Sequence, residues 1–260
     1  MDDDSARIPE PDPALEPDRA PEPDSAPAVA PETAAAPAAR RIARRWPLLS
    51  GLVAVLLAAG LGALIVFRDN GNPLGIDTEW MDEIIEHRAP IWEYASLVMN
   101  FLGAGIAGVV IIPVLILVGL LLLRRPWAAG YYVAATLVSS GLVQLLKNLF
   151  GRARPQDMLV TSDFGSFPSG HVANAATMVV CLAVIFPKVW VWVAGTTWVV
   201  AMMVSRTYLG AHWLTDTIGG LLLGIGVAVL LWAPVAAKLD GERRLARRHP
   251  PAPEPIRRTF

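Results

Sequence analysis

The chain has 260 residues and a formal net charge of −1, with 54% hydrophobic and 17% charged residues and a mean hydropathy of +0.46. Soluble domains carry about 25% charged residues, whereas residues 94–237 hold ten charges in 144 positions. That scarcity excludes an ordinary soluble domain and a nucleic-acid binder, and the lone Cys181 excludes a secreted disulfide scaffold.

Residues 1–39 hold ten acids, two arginines and nine prolines. Such a segment buries too little apolar surface to offset its ordering entropy, which predicts a disordered acidic leader. Residues 46–67 are an almost unbroken apolar run of 22 residues. At about 1.5 Å per residue the run crosses a hydrocarbon core of about 30 Å. Its length and the charged leader before it argue against a cleaved signal peptide. Further apolar runs lie at 105–123, 127–147, 170–186, 189–205 and 213–235, with Pro113 inside the first of these. The expected fold is all-α, a six-span transmembrane bundle occupying residues 40–237. Between spans one and two, Ile76, Trp80, Ile84, Ile91, Ala95, Val98 and Leu102 recur at helical spacing among acids. That pattern predicts an amphipathic helical segment lying in the interface, with Trp80 and Trp92 at headgroup depth. Residues 238–260 form a basic tail with seven basic and three acidic residues.

The placement of lysine and arginine orients the spans. Arg40, Arg41, Arg44 and Arg45, then Arg124 and Arg125, then Lys188, then Lys238 and the tail arginines share one side if there are six spans. That side is expected to be the cytoplasm of a multi-pass protein in the cell membrane, with both termini inside. The loops after spans one, three and five then face outward.

Three outward segments carry most of the remaining polar chemistry. They are Lys147-Asn-Leu-Phe-Gly-Arg-Ala-Arg154-Pro155, Pro168-Ser169-Gly170-His171, and Ser205-Arg206 followed by His212 and Asp216. Ionisable groups near a bilayer cost about 2.5–3.5 kcal/mol at a helix centre, so their convergence needs a shared reason. Lys147, Arg154 and Arg206 suit a phosphoryl group, whose oxygens accept paired guanidinium bonds. The competing explanation is snorkelling to the interface. Ser169 reads as an N-cap, and Gly170 lets backbone approach an anion at a helix N-terminus. His212 and Asp216 stand four apart, so an aspartate can fix the imidazole tautomer and leave the other nitrogen free to attack phosphorus. Arg152 reads equally as a substrate contact or a solvated loop residue, and Asp157 and Asp163 have no role. His87 and Arg88 read as a solvated or interfacial face. Gly220 and Gly224 read as a close helix-packing pair. The basic tail fixes topology and is suited to anionic lipid.

In this order and spacing the three segments resemble the signature of the type 2 phosphatidic acid phosphatase and vanadium haloperoxidase superfamily: Lys-x6-Arg-Pro, Pro-Ser-Gly-His and Ser-Arg-x5-His-x3-Asp. The resemblance implies a helical membrane phosphatase acting on a lipid phosphate monoester or diphosphate. Undecaprenyl diphosphate, phosphatidylglycerol phosphate and phosphatidic acid are the candidate substrates. Lys147, Arg154, Arg206, Ser169 and Gly170 are then expected to hold phosphate, His212 to form a phosphohistidine, Asp216 to orient it and His171 to protonate the leaving oxygen. No cofactor and no metal is expected, and the partners are the lipid substrate and the surrounding membrane lipids. Two alternatives stand beside this: a vanadate-dependent haloperoxidase using the same anion pocket, and a non-catalytic lipid-binding or transport protein.

Overall fold

The computed structural model of the protein describes residues 35–103 and 106–248, which include no strand. Eight α-helices follow in order: α1 (Ala35–Asp69), α2 (Gly75–Glu86), α3 (Pro90–Gly103), α4 (Ile112–Leu122), α5 (Pro126–Phe150), α6 (Gly170–Ile185), α7 (Val189–Tyr208) and α8 (Leu214–Arg248). A π-helical turn, Ala107–Ile111, leads into α4. Four helical stretches are long and apolar enough to cross a membrane: Arg45–Asp69, Pro126–Phe150, Val189–Tyr208 and Leu214–Ala246. The pair Pro90–Gly103 and Ala107–Leu122, bent by 46°, counts as a fifth if read as one span. Helix α6 has 16 residues, about 24 Å of length.

The sorting of side chains follows a low-dielectric solvent. Leu56, Leu137, Leu149 and Trp190 are exposed, while Lys147, Arg152, Arg206 and Asp216 are buried. In water this distribution is unfavourable on both counts; in lipid the apolar exterior costs nothing and the charges gather inside.

Helix α6 is the centre of the bundle and packs against α5, α7 and α8. Tyr131, Tyr132, Val180, Cys181 and Ala228 fill one part of the core. Val143, Leu146, Ala173, Leu223 and Val227 fill another, and Val172, Val179, Val199 and Met202 join α6 to α7. The α6–α8 approach depends on Gly220 and Gly224, as the small-residue spacing predicts. A Cβ on Gly220 would lie 2.4 Å from the Ser169 carbonyl oxygen, and one on Gly224 2.4 Å from that of Ala173. The tight contact brings the first turns of α6 and α8 together, and the Ser169 N–H donates to the Asp216 carbonyl at 2.9 Å.

The structure adds detail to the expected segments, including the amphipathic one, which the sequence leaves open between one helix and two. Residues 1–34 of the acidic leader lie outside the described residues, but residues 35–39 already belong to α1. The tail continues α8 as helix to Arg248, and His249 lies outside the described residues. The amphipathic segment is two helices, and α2 turns Asp77 and Met81 inward while leaving Ile76 exposed. Its acids are therefore not one solvated face. Arg88, expected on a solvated face, donates to the Asp157 carbonyl at 2.9 Å, while His87 is exposed as expected.

Candidate active site

Each element delivers one part of a cationic cup. Helix α5 stops because Gly151 takes the left-handed conformation (φ 55°), which glycine adopts without steric penalty, and its N–H donates to the Lys147 carbonyl at 2.9 Å. Lys147 is thus held in the last turn, and Arg154 leaves from the loop beyond. The two cations do not share a helix face; they meet because the loop folds back. Lys147 Nζ donates to the Asp163 carboxylate and to the Gly165 carbonyl, both at 3.0 Å. Arg154 Nη2 reaches the same Asp163 oxygen at 2.7 Å and Gly165 O at 2.9 Å. Arg206 enters from the last turn of α7, with its guanidinium on the Asn100 side-chain oxygen of α3. His171 stands in the first turn of α6.

Lys147, Arg154, Gly170, His171, Arg206 and His212 line one cavity of about 420 Å³, with Asn100, Asn174 and Asp163 also on its wall. Ser169 and Asp216 are fully buried and outside that lining. Ser169 occupies the N-cap position of α6 in extended conformation, but its hydroxyl makes no capping bond, contrary to the expectation from sequence. Among the described residues the buried Ser169 Oγ, His171 Nε2 and Arg206 Nε lack hydrogen-bond partners. Unpaired buried polar atoms are costly, and these three belong to residues expected to meet phosphate or the leaving oxygen.

His212 lies in the turn before α8 rather than on the helix. Its Nδ1 is 2.8 Å from the Ser166 carbonyl oxygen and 3.6 Å from Asp216 Oδ2. The shorter contact governs the tautomer: Nδ1–H donates to Ser166 O, and Nε2 keeps its lone pair. Nε2 lies 3.5 Å from Arg154 Nη1, on the cavity side. Asp216 accepts the Trp213 N–H at 2.9 Å and a guanidinium N–H of Arg152 at 2.6 Å. It is a buried charge one step behind the ring, not the ring's nearest acceptor.

The electrostatics follow burial first. Burial pushes the His212 imidazole down to about 4, against the pull of Asp216, so the ring is neutral at neutral pH. Burial also lowers Arg154, with Asp163 pulling it back. Asp163 is raised by partial burial, but the Lys147 and Arg154 cations outweigh this and hold its carboxyl below the usual range. The cup therefore offers a neutral nitrogen nucleophile beside fixed positive charge, an arrangement suited to attack on an electrophile bearing anionic oxygens.

Three groups escaped sequence reasoning. Ser166 carries no motif. Asp163 joins both loop-side cations. Arg152, open between substrate contact and solvated loop, is neither: its side chain is fully buried, bonded to Asp216 and to Asp77 of α2. The signal available was its place beside the first motif together with an acid at the start of the amphipathic segment. Glu83, Glu86 and His87 cluster as exposed groups at the C-terminal end of α2 and do not line the cavity.

Residues 128–239 match the model of the PAP2 superfamily. An undecaprenyl-diphosphatase of Sulfolobus acidocaldarius is 42% identical over 65 residues, 25% of this chain and 31% of that protein. A lipid A 1-phosphatase of Rhizobium etli is 35% identical over 125 residues, 42% of this chain and 51% of that protein. The chain thus spans about a third to a half of the length of these curated relatives. The crystal structure of a transmembrane PAP2 type phosphatidylglycerolphosphate phosphatase from Bacillus subtilis superimposes with a TM-score of 0.62 at 25% identity, covering 73% of this chain and 96% of that one.

Proposed function

From a chain whose residues 128–239 are PAP2 superfamily sequence, we propose a membrane lipid phosphatase that hydrolyses a lipid phosphate monoester or diphosphate through a phosphohistidine on His212. The observation that carries the proposal is the state of the His212 ring. Nδ1 is committed to Ser166 O, and the Nε2 lone pair accepts only the long 3.5 Å contact from Arg154 Nη1, in a cavity that Lys147, Arg206 and His171 also line.

Lys147, Arg154 and Arg206 hold the phosphate oxygens, assisted by the Ser169 hydroxyl and the Gly170 backbone. His212 Nε2 attacks phosphorus as the bond to the leaving oxygen breaks, and His171, which takes up a proton once the anionic oxygens of the substrate fill the cup, gives that proton to the leaving oxygen. Water then attacks the phosphohistidine, neutral His171 takes the water proton, and the P–N electron pair returns to Nε2 as inorganic phosphate leaves. General acid help from His171 is worth about 10²–10⁴-fold in rate. Every step uses positioning and charge stabilisation by the chain's own groups, which is sufficient for phosphoryl transfer; the reaction is therefore proposed to need no metal.

Six spans, with the bent α3–α4 pair and α6 each crossing once, put the basic ends of α1, α4 and α8 on the cytoplasmic side and the cavity at the outer face. An outward site suits hydrolysis of a lipid phosphate in the outer leaflet, including a polyprenyl diphosphate, phosphatidylglycerol phosphate or phosphatidic acid.

The test is phosphate release from a panel of lipid phosphates by the purified protein in micelles. The proposal expects turnover of at least one, insensitivity to EDTA, inhibition by vanadate, and loss of all but a few per cent of activity in His212→Ala. Retention of activity in that variant removes the nucleophile assignment. Halide oxidation with added vanadate in place of phosphate release supports the haloperoxidase alternative.

A further inference from the structure

We infer that Asp77 and Arg152 are positioning residues that act on His212 through Asp216, so that helix α2 helps set the charge state and aim of the nucleophile. The inference rests on the reading of His212 as that nucleophile.

The geometry is a buried chain of charge running away from the cavity. The Arg152 guanidinium forks: Nη1 donates to Asp216 Oδ1 at 2.6 Å and to Thr215 Oγ1 at 2.8 Å, while Nη2 donates to Asp77 Oδ2 at 2.7 Å. The side chains of Arg152, Asp77 and Asp216 are each fully buried. The guanidinium lies over the Trp213 ring, 5.8 Å from its centroid. Arg152 does not line the cavity and both ends of its fork are taken up by Asp216, Thr215 and Asp77, so its charge acts on Asp216. Asp77 in turn accepts the Thr215 N–H at 2.9 Å, the Thr215 hydroxyl at 2.8 Å and the Leu74 N–H at 3.1 Å. One carboxylate thus ties the start of α2 to the first turn of α8, within one residue of Asp216.

The charge balance gives the function its signature. Two buried carboxylates share one guanidinium, so Asp216 is neither left bare nor fully neutralised. On its cavity side His212 has Lys147 of α5, His171 of α6, Arg206 of α7, and Arg154 and Asp163 of the α5–α6 loop. Behind it stand Asp216 of α8, Arg152 of the same loop and Asp77 of α2. Removing the Asp77 charge leaves Arg152 less offset and disfavours the imidazolium. Removing the Arg152 charge leaves two carboxylates behind the ring and favours it. A pair that acted only by bracing the fold would reduce the amount of folded protein and leave the kcat of the folded fraction unchanged, whereas a pair that sets the charge and aim of the ring lowers that kcat and shifts the titration together.

The experiment compares wild type, Asp77→Asn and Arg152→Gln in micelles by two readouts. Heteronuclear NMR of isotope-labelled histidine, with His212 assigned by its loss in His212→Ala, follows the ring without requiring turnover. Phosphate release gives kcat and KM. The His212 midpoint is expected to fall in Asp77→Asn and to rise in Arg152→Gln, each by about one pH unit, with kcat down about tenfold and KM within twofold in both. If Arg152→Gln does not fold, the charge-balanced double variant Asp77→Asn/Arg152→Gln takes its place. Its midpoint is expected back near wild type with kcat still reduced. A midpoint that stays fixed in Asp77→Asn, or midpoints that move the same way in both single variants, overturn the inference, as does a double variant whose kcat is that of wild type. Wild-type protein that releases phosphate from no lipid ends the phosphatase reading instead, and the NMR titration still decides the coupling.

Discussion

Replacing Asp163 with asparagine is expected to tighten anion binding. The carboxylate sits on Lys147 at 3.0 Å and on Arg154 at 2.7 Å, so it occupies two of the three cations proposed to hold phosphate. Held below the usual carboxylate range by those cations, it is ionised throughout neutral pH. The side chain is 62% exposed, so its repulsion acts through water and salt. A unit charge about 5 Å from a dianion costs about 1.7 kcal/mol in bulk water, and screening at physiological salt reduces this to about 1 kcal/mol, or roughly fivefold in affinity. Asp163→Asn keeps the side-chain oxygen and removes the charge. Vanadium NMR titration of the protein in micelles, at a pH alkaline enough to hold vanadate as its dianion, reads the affinity directly, and vanadate inhibition of phosphate release at the same pH reads it under turnover. Both are expected to tighten about fivefold, with the gain shrinking as salt rises. Unchanged or weaker vanadate binding refutes the reasoning and makes Asp163 a brace that aligns the two cations.

The remaining predictions concern pH, packing and the third cation. With His212 held neutral down to about 4 by burial, the acid limb of kcat/KM is expected near pH 4 rather than near 6.5. The same depressed value means that His212 favours the folded state above pH 6.5 and that this contribution is lost as pH falls from 6.5 towards 4, which thermal unfolding across that window can follow. Gly220→Val sets a side chain against the Ser169 carbonyl, where even a Cβ would be 2.4 Å away. Overpacking of about 1–3 kcal/mol is expected to lower the thermal midpoint and, by moving the first turn of α6, to reduce kcat. Asn100→Ala removes the acceptor on the Arg206 guanidinium and is expected to raise KM several-fold while leaving thermal stability almost unchanged.

Most of the charged residues that line the cavity were legible in the sequence; those that hold them in place were not. Lys147, Arg154, His171, Arg206 and His212 stand at fixed spacings within short segments, and a helical bundle brings the ends of those segments together. Ser166, Asp77 and Asn100 act across long separations, Asp77 on Thr215 and Asn100 on Arg206 among them, and no local pattern records such a contact. Asp77 also reads locally as one more acid in an amphipathic segment; only the buried guanidinium of Arg152 distinguishes it from Glu79 or Asp82. The apolar runs located the helices because lipid-facing surface has to be apolar, and they separated the amphipathic residues 76–102 from the run at 105–123, close to where the chain bends by 46° between Pro90–Gly103 and Ala107–Leu122. His212 and Asp216 are four apart, as on a helix, but the chain enters α8 only at Leu214, so the spacing found two neighbours, 3.6 Å apart, and did not show that Ser166 O is the nearer acceptor.

The most direct test of the central claim is to catch the phosphoryl group on the protein. Rapid quenching of wild-type protein during turnover of a radiolabelled lipid phosphate, followed by peptide mapping under alkaline conditions, is predicted to give an acid-labile, base-stable label on the peptide bearing His212, absent from His212→Ala. Turnover with no labelled peptide, or with the label on another residue, contradicts attack by the His212 ring.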